Sequence, residues 1–307
     1  MEFEESVYYC HLLKGELCEA LCYAEQFPQR LECCRKIRQR FESDCSFNGI
    51  CNENLSRVLR RYCEYFRDVF YYKIEEKQAE EELRVKLAEL FDKEMSTELY
   101  VLEEDAAAPL FEANGFHFLG GRTSGYRGPY IWRETESVAF AVELPEGIQT
   151  YYINFLDGFV MRSWLDYISF GEIGTGGWTN GDGTINCVKA SYDTESEAFK
   201  VSLLKHEAQH VQDLQRNPDL SSEILEYRAK LVELIYSKER NLLLAFIKQA
   251  DDSNSKNGHS KAAFRIIEEF CSFLSVGTVD LSQLEGDIIR STALQLFEKS
   301  SRLLFHT

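Results

Sequence analysis

The sequence predicts a mostly helical α+β protein, and three observations carry that prediction. Apolar residues recur at helical spacing through residues 1–105. Between 106 and 191 glycine and aromatic residues crowd together, with short alternating runs set between turn signals, the pattern of a small β-sheet. From 192 onward the helical spacing returns. The expected organisation is a helical domain over 1–105 and a second domain over 106–307, sheet-rich to 191 and helical from 192.

Composition sets the outer limits. A chain of 307 residues with 44% hydrophobic and 13% aromatic side chains can bury a sizeable core and is not a disordered one. A net charge of −17 argues against nucleic acid and anionic membrane surfaces as partners, since both reward basic patches. The opening MEFEESVYYC is acidic, and no run approaches the roughly 18 apolar residues of a membrane span. Neither signal peptide nor span is therefore expected, and a cytoplasmic location is. Of the 10 cysteines, 8 fall before residue 64 at irregular spacings, which predicts reduced, mostly buried thiols rather than disulfides.

Leu12, Leu13, Leu17, Cys18, Leu21 and Cys22 stripe a first helical stretch from about Glu5 to Glu25, interrupted at Phe27-Pro28. A second runs from about Gln29 to Glu42, before a turn at Phe47-Asn48-Gly49. From Asn54 to about Phe91, one long or two shorter helices carry Leu55, Val58, Leu59, Tyr62, Phe66, Val69, Phe70 and Ile74. Such a helical domain either packs against the rest of the chain or binds a protein partner. Charge, small residues and a proline coincide at Glu103-Glu104-Asp105-Ala106-Ala107-Ala108-Pro109 and mark the boundary.

Beyond it, Gly120-Gly121, Gly125 and Gly128-Pro129 read as turns, and His117 as a packed or surface histidine. SVAFAVELP and IQTYYINFL read as strands around the Pro145-Glu146-Gly147 turn, followed by a short helix in FVMRSWLDYIS. Gly176-Gly177 and Asn180-Gly181-Asp182-Gly183 flank the way into a strand over 184–190. That strand is either interior or an edge able to pair with an extended peptide.

The next helix opens on a Thr194–Glu197 capping box and stops at Asn217-Pro218. It carries His206-Glu207-Ala208-Gln209-His210. Histidines four apart on a helix lie one turn above each other on one face, so both can reach one Zn²⁺. Glu207 can face the same cleft and take the proton of an attacking water. Asp213 could accept the outer N–H of a ligand histidine, or stand solvated at the helix end.

Asp219-Leu220-Ser221-Ser222 supplies N-cap candidates for a helix from Ser222 to about Gln249. Ile224, Leu225, Tyr227, Ala229, Leu231, Val232, Leu234 and Ile235 form its apolar arc, with Arg228 inside the arc, snorkelling or paired with a buried carboxylate. Glu226, Lys230 and Glu233 share the polar face. A catalytic zinc takes three protein ligands and keeps one position open. Glu226, 16 residues after His210, is the candidate third ligand, with Glu223 in reserve and a Glu226–Lys230 surface pair as the alternative. The polar loop ADDSNSKNGHSK brings His259 to the start of a further helix. His259, Tyr192 and Tyr227 are the candidates for stabilising an oxyanion. AAFRIIEEFCSFL and a stretch from Ser282 to Leu304 complete the helices.

HEAQH, a short connection and a helix carrying LEYRAKLVEL together resemble the gluzincin, or thermolysin-like, class of zinc metallopeptidases over residues 206–233. The resemblance implies a zincin-like domain with one Zn²⁺ held by His206, His210 and Glu226, and Glu207 as the water-activating base. The chain departs from the class in two places. The interval to Glu226 is short, and L-E-Y-R-A stands where the class has N-E-x-x-S/D. The expectation is an intracellular zinc metallopeptidase acting on a peptide or protein substrate, with Glu207, Tyr227 and His259 as catalytic residues. The alternative is a non-catalytic zincin-like regulatory protein whose N-terminal helical domain binds a partner.

Overall fold

A computed structural model describes residues 2–43, 47, 50–179, 183–238, 241–252 and 258–305. Helix makes up 60% of the chain and strand 14%, so the fold is mostly helical α+β with small sheets. The expected turn residues 48–49 and 180–182, and the middle of the polar loop at 253–257, lie outside the described residues. Among the described residues no helix is long and apolar enough to cross a membrane.

The chain forms two compact units, and their division differs from the expected one. The first joins Met1–Glu134 to Asp157–Thr175. Its helices are α1 (Glu5–Leu13), α2 (Leu17–Ala24), α3 (Leu31–Glu42), α4 (Glu53–Phe66), α5 (Glu76–Leu90), α6 (Leu99–Leu102), α7 (Ala108–Glu112) and α8 (Ser163–Ile168). Its short strands are β1 (His117–Leu119), β2 (Arg122–Thr123), β3 (Tyr126–Arg127), β4 (Tyr130–Trp132) and β7 (Met161–Arg162). The expected boundary at 103–109 is continuous helix instead, because a wide π-helical turn over Glu103–Ala107 links α6 to α7. The physical reason is the Glu103 carboxylate. It is buried, accepting from the Tyr62 hydroxyl at 2.8 Å, the Gly121 amide at 3.1 Å and Arg127 at 3.2 Å. A charge run that reads as linker thus ties α4 to the strands. Trp164 of α8 is fully buried, stacks on Phe70 at 5.1 Å and donates its indole N–H to the Thr123 carbonyl. His117 stacks on Trp132 at the surface. Among the described residues every cysteine is free, but only Cys34, Cys63 and Cys187 are buried, fewer than expected.

The second unit joins Thr135–Leu156 to Gly176–Thr307. A hairpin of β5 (Glu134–Leu144) and β6 (Gly147–Asp157) turns at Pro145-Glu146, where Gly147 takes φ 128°, a conformation open to glycine. With β8 (Gly177–Thr179) and β9 (Ile185–Val188) it makes a four-stranded sheet in the order β5-β6-β9-β8. β9 runs parallel to β6 and antiparallel to β8, so the strand at 184–190 is interior and β8 is the edge. Gly177 permits that edge: a Cβ there would lie 2.6 Å from the Asn186 carbonyl oxygen.

The helices of this unit are α9 (His206–Arg216), α10 (Ser222–Tyr236), α11 (Asn241–Gln249), α12 (Gly258–Leu274), α13 (Thr278–Leu281) and α14 (Gly286–Phe305). α9 continues a wide π-helical stretch, Ala198–Lys205. The predicted capping box does not form. Ser196 Oγ accepts the Phe199 amide at 3.1 Å, while Glu197 reaches away to the Ser237 hydroxyl and the Lys238 amide. That second contact helps end α10 at Tyr236, where one helix to Gln249 was expected.

α10 packs against α9, α12 and α14, and every residue from Tyr227 to Leu234 is buried. A helix covered on all sides has no solvent face. The polar side carrying Glu226, Lys230 and Glu233 therefore faces protein. Lys230 donates to Gln249 at 3.0 Å and lies over the Phe246 ring rather than pairing with Glu226 at the surface, and burial lowers its pKa. Arg228 and Asp213 are both 0% exposed and pair at 2.8 Å between α10 and α9. Gln209 donates to the other Asp213 oxygen at 2.9 Å, and Arg228 also reaches Ser301 of α14. Of the two roles open to Arg228, the structure shows the buried pair, and Asp213 is its partner rather than a solvated helix-end group. Removing one member of such a pair leaves an uncompensated buried charge. Asp213→Ala should lower the unfolding free energy by about 3–5 kcal/mol in urea titrations; a change below about 1 kcal/mol would show that the pair does not hold α9 to α10.

Candidate metal centre

The π-helical stretch delivers the chain to His206 at the start of α9, and the helical repeat places His210 beside it, the two rings 4.6 Å apart. α10, capped by the Ser221 hydroxyl on the Ile224 amide, brings in Glu226. One carboxylate oxygen, Oε1, lies 3.5 Å from His210 Nε2, and the other, Oε2, lies 3.4 Å from His206 Nε2. His259, second residue of α12, places Nδ1 2.6 Å from the same Oε2. The donor atoms of His206, Glu226 and His259 all fall within 4.8 Å of one another, and this group could hold a metal ion. Glu223 makes no such approach; Glu226 is the carboxylate that meets the histidines.

Orientation and charge both fit a cation. Oε2 of Glu226 is buried with no aligned hydrogen-bond donor, although two imidazole nitrogens stand close to it. Ring nitrogens and carboxylate oxygens that converge in this way suit ligation once the imidazoles give up their protons. Behind His206, Glu233 accepts from Nδ1 at 2.7 Å, which fixes the ring and turns Nε2 toward Glu226. His206 thus has a carboxylate at each ring nitrogen, Glu226 at Nε2 and Glu233 at Nδ1. Burial works against ionisation of Glu226, but its contacts with His206, His210 and His259 hold it well below the usual carboxylate range. Burial likewise lowers the pKa of His206, and Glu226 and Glu233 outweigh it, raising it to about 10. In the metal-free protein His206 is therefore an imidazolium.

The remaining expected residues divide. Glu207 is half-buried, and its Oε2 accepts from the Thr179 hydroxyl of β8 at 2.6 Å. Tyr227 turns away from a catalytic role: its hydroxyl donates to Glu269 at 2.8 Å and Arg265 lies over its ring, so the phenol belongs to the α10–α12 packing. Tyr192 is the phenol on which the charges of Glu207 and Glu233 act. Burial, with the Cys187, Glu207 and Glu233 charges, pushes its pKa up to about 12. A Cβ on Gly176 would collide with the Tyr192 hydroxyl, so that glycine makes room for it. The outer nitrogen of His210, Nδ1, is buried without a hydrogen-bond partner, and Asp213 does not supply one because Arg228 and Gln209 occupy it.

Two residues of the site were not foreseen. Glu233 had a signal: it lies 7 residues after Glu226, on the same helical face. Thr179 had none, since only the pairing of β8 with β9 brings it to α9. Comparison with models of known families, with curated proteins and with solved structures finds no match for this chain.

Zinc content should separate these roles. Wild-type protein should carry one zinc per chain, as should Glu223→Ala, while Glu226→Ala should lose it. Glu233→Gln should weaken zinc binding about 10–100-fold without unfolding the protein. Because the ligated His206 must give up its proton, zinc affinity should rise with pH and uptake should release protons, measurable by calorimetry in buffers of different ionisation enthalpy. Equal zinc content in Glu226→Ala and wild type would contradict the assignment.

Proposed function

We propose that this protein is a zinc-dependent hydrolase of peptide bonds, in the manner of the zincin class its H-E-x-x-H helix resembles. The observation that carries the reading is the placement of Glu207. A purely structural metal site has no use for a carboxylate beside its ligands, yet here one is held by the Thr179 hydroxyl next to His206 and His210.

A bound zinc would supply Lewis acidity, polarising the substrate carbonyl and making water acidic enough to react near neutral pH. His206, His210 and Glu226 are the groups that would hold it, with Glu233 orienting His206. Glu207 accepts the proton of the attacking water and later passes it to the departing amine. The Thr179 hydrogen bond occupies Oε2 and leaves Oε1 for that transfer. Tyr192, kept neutral by burial, remains a hydrogen-bond donor and is suited to the developing oxyanion. β8 is the outermost strand of its sheet, next to β9, a position that suits addition of an extended peptide backbone. A peptide added there would run past Thr179 and Glu207.

A second reading, a closed metal site with a structural role, draws support from His259, since four protein ligands leave no open position. Glu207 separates the two. Glu207→Gln should keep one zinc per chain and lower kcat/KM about 10²–10⁴-fold on any peptide that wild type cleaves, scored by mass spectrometry of digested peptide libraries. Unchanged cleavage by Glu207→Gln would overturn the mechanism; zinc-loaded wild type that cleaves nothing would favour the structural reading.

A further inference from the structure

We propose that His259 is a fourth protein ligand, which covers the metal position in the resting protein and leaves it when substrate enters. The inference rests on the metal site described under Proposed function and adds a device that controls access to it.

Geometry places His259 among the donors rather than across the cleft from them. Its Nδ1 lies 2.6 Å from Glu226 Oε2, closer than His206 Nε2 at 3.4 Å. Its ring stacks over that of His206, centroids 6.1 Å apart and planes inclined by 28°. Bonds of about 2.0–2.2 Å to a single ion put donor atoms roughly 3–4.4 Å apart. The group of His206, Glu226 and His259, all within 4.8 Å, needs little adjustment to meet that spacing. An oxyanion donor, by contrast, must stand off from the metal by the size of the substrate group between them.

The backbone is arranged to bring this side chain in. A Cβ on Gly258 would lie 2.7 Å from Ser222 Oγ and 3.5 Å from Glu226 Cγ, so glycine lets the first turn of α12 close on the first turn of α10. Ala262, Ala263 and Ile266 then bury the next turns of α12. The turn is anchored by packing, while its imidazole is held only by its contacts with Glu226 and His206. The side chain of His259 is 53% exposed, against 8% for His206, 11% for His210 and 13% for Glu226. His259 is thus the ligand on the water side, the one whose rotation out of the site sacrifices the least packing. Water or a substrate carbonyl would take the position it vacates.

Cobalt(II) in place of zinc in the full chain tests this, with acetohydroxamate as the incoming ligand. Wild type should bind one cobalt in a low-coordinate, strongly absorbing site and take up acetohydroxamate weakly. His259→Ala should still bind cobalt, show a weaker visible band as water enters, and bind acetohydroxamate at least ~10-fold more tightly, because the open form is no longer a minor population. Free imidazole should restore the wild-type spectrum to His259→Ala. Gly258→Ala, which pushes the turn away from Ser222, should shift the spectrum in the same direction as His259→Ala. If both proteins bind cobalt with the same spectrum and the same acetohydroxamate affinity, His259 is not a ligand and the inference fails. If wild type binds no cobalt or zinc, the metal site itself is wrong and both readings fall together.

Discussion

The structure turns on one largely buried carboxylate. Glu226 sits on a helix enclosed by three others, and it meets His210 through one oxygen and His206 and His259 through the other. Those imidazoles come from two stages of the chain: two from α9, one from the start of α12. An ionised carboxylate in such a place is costly unless cations or hydrogen-bond donors surround it. The packing of α9, α10 and α12 is therefore inseparable from the chemistry of the site. What brings the helices together apolar side to apolar side also brings their few polar groups into one cluster.

The same economy explains the ion pair behind the site. Asp213 follows His210 by 3 residues and Arg228 follows Glu226 by 2, so two contacts join the same pair of helices. The Asp213–Arg228 pair sets how α9 lies on α10, and the histidine–glutamate contacts inherit that setting. Phe297 of α14 lies under the Arg228 guanidinium and Ser301 bonds it, so the last helix of the chain supports a site it does not line. The edge strand β8 also meets α9, reaching Glu207 through Thr179.

Much of this was legible in the sequence, and the misses have physical causes. Helical spacing gave the element types because apolar periodicity survives packing. The shared face of His206 and His210 is legible because their spacing on one helix is local, whereas Glu226 reaches them through the packing of α10 on α9. Lys230 reads as one half of a surface pair with Glu226, and Glu233 only as a member of the polar face, since a helical projection separates apolar from polar arcs but cannot tell a polar arc facing water from one facing a site. The run at 103–109 read as a linker because one residue, Glu103, is buried against Tyr62 and Arg127 from distant parts of the chain. Thr179 and the edge position of β8 depend on strand order, which periodicity does not encode. Tyr227 is the phenol the sequence favours for catalysis, and its bond to Glu269 of α12, which the sequence does not encode, commits it to packing instead.

The central claim is that one metal ion sits where His206, Glu226 and their neighbours converge. Crystals grown with zinc, measured on both sides of the zinc absorption edge, test it directly. One anomalous peak is expected about 2.0–2.2 Å from His206 Nε2 and from the Glu226 carboxylate. A well-ordered site with no peak there, or with zinc bound only elsewhere on the protein, would contradict it.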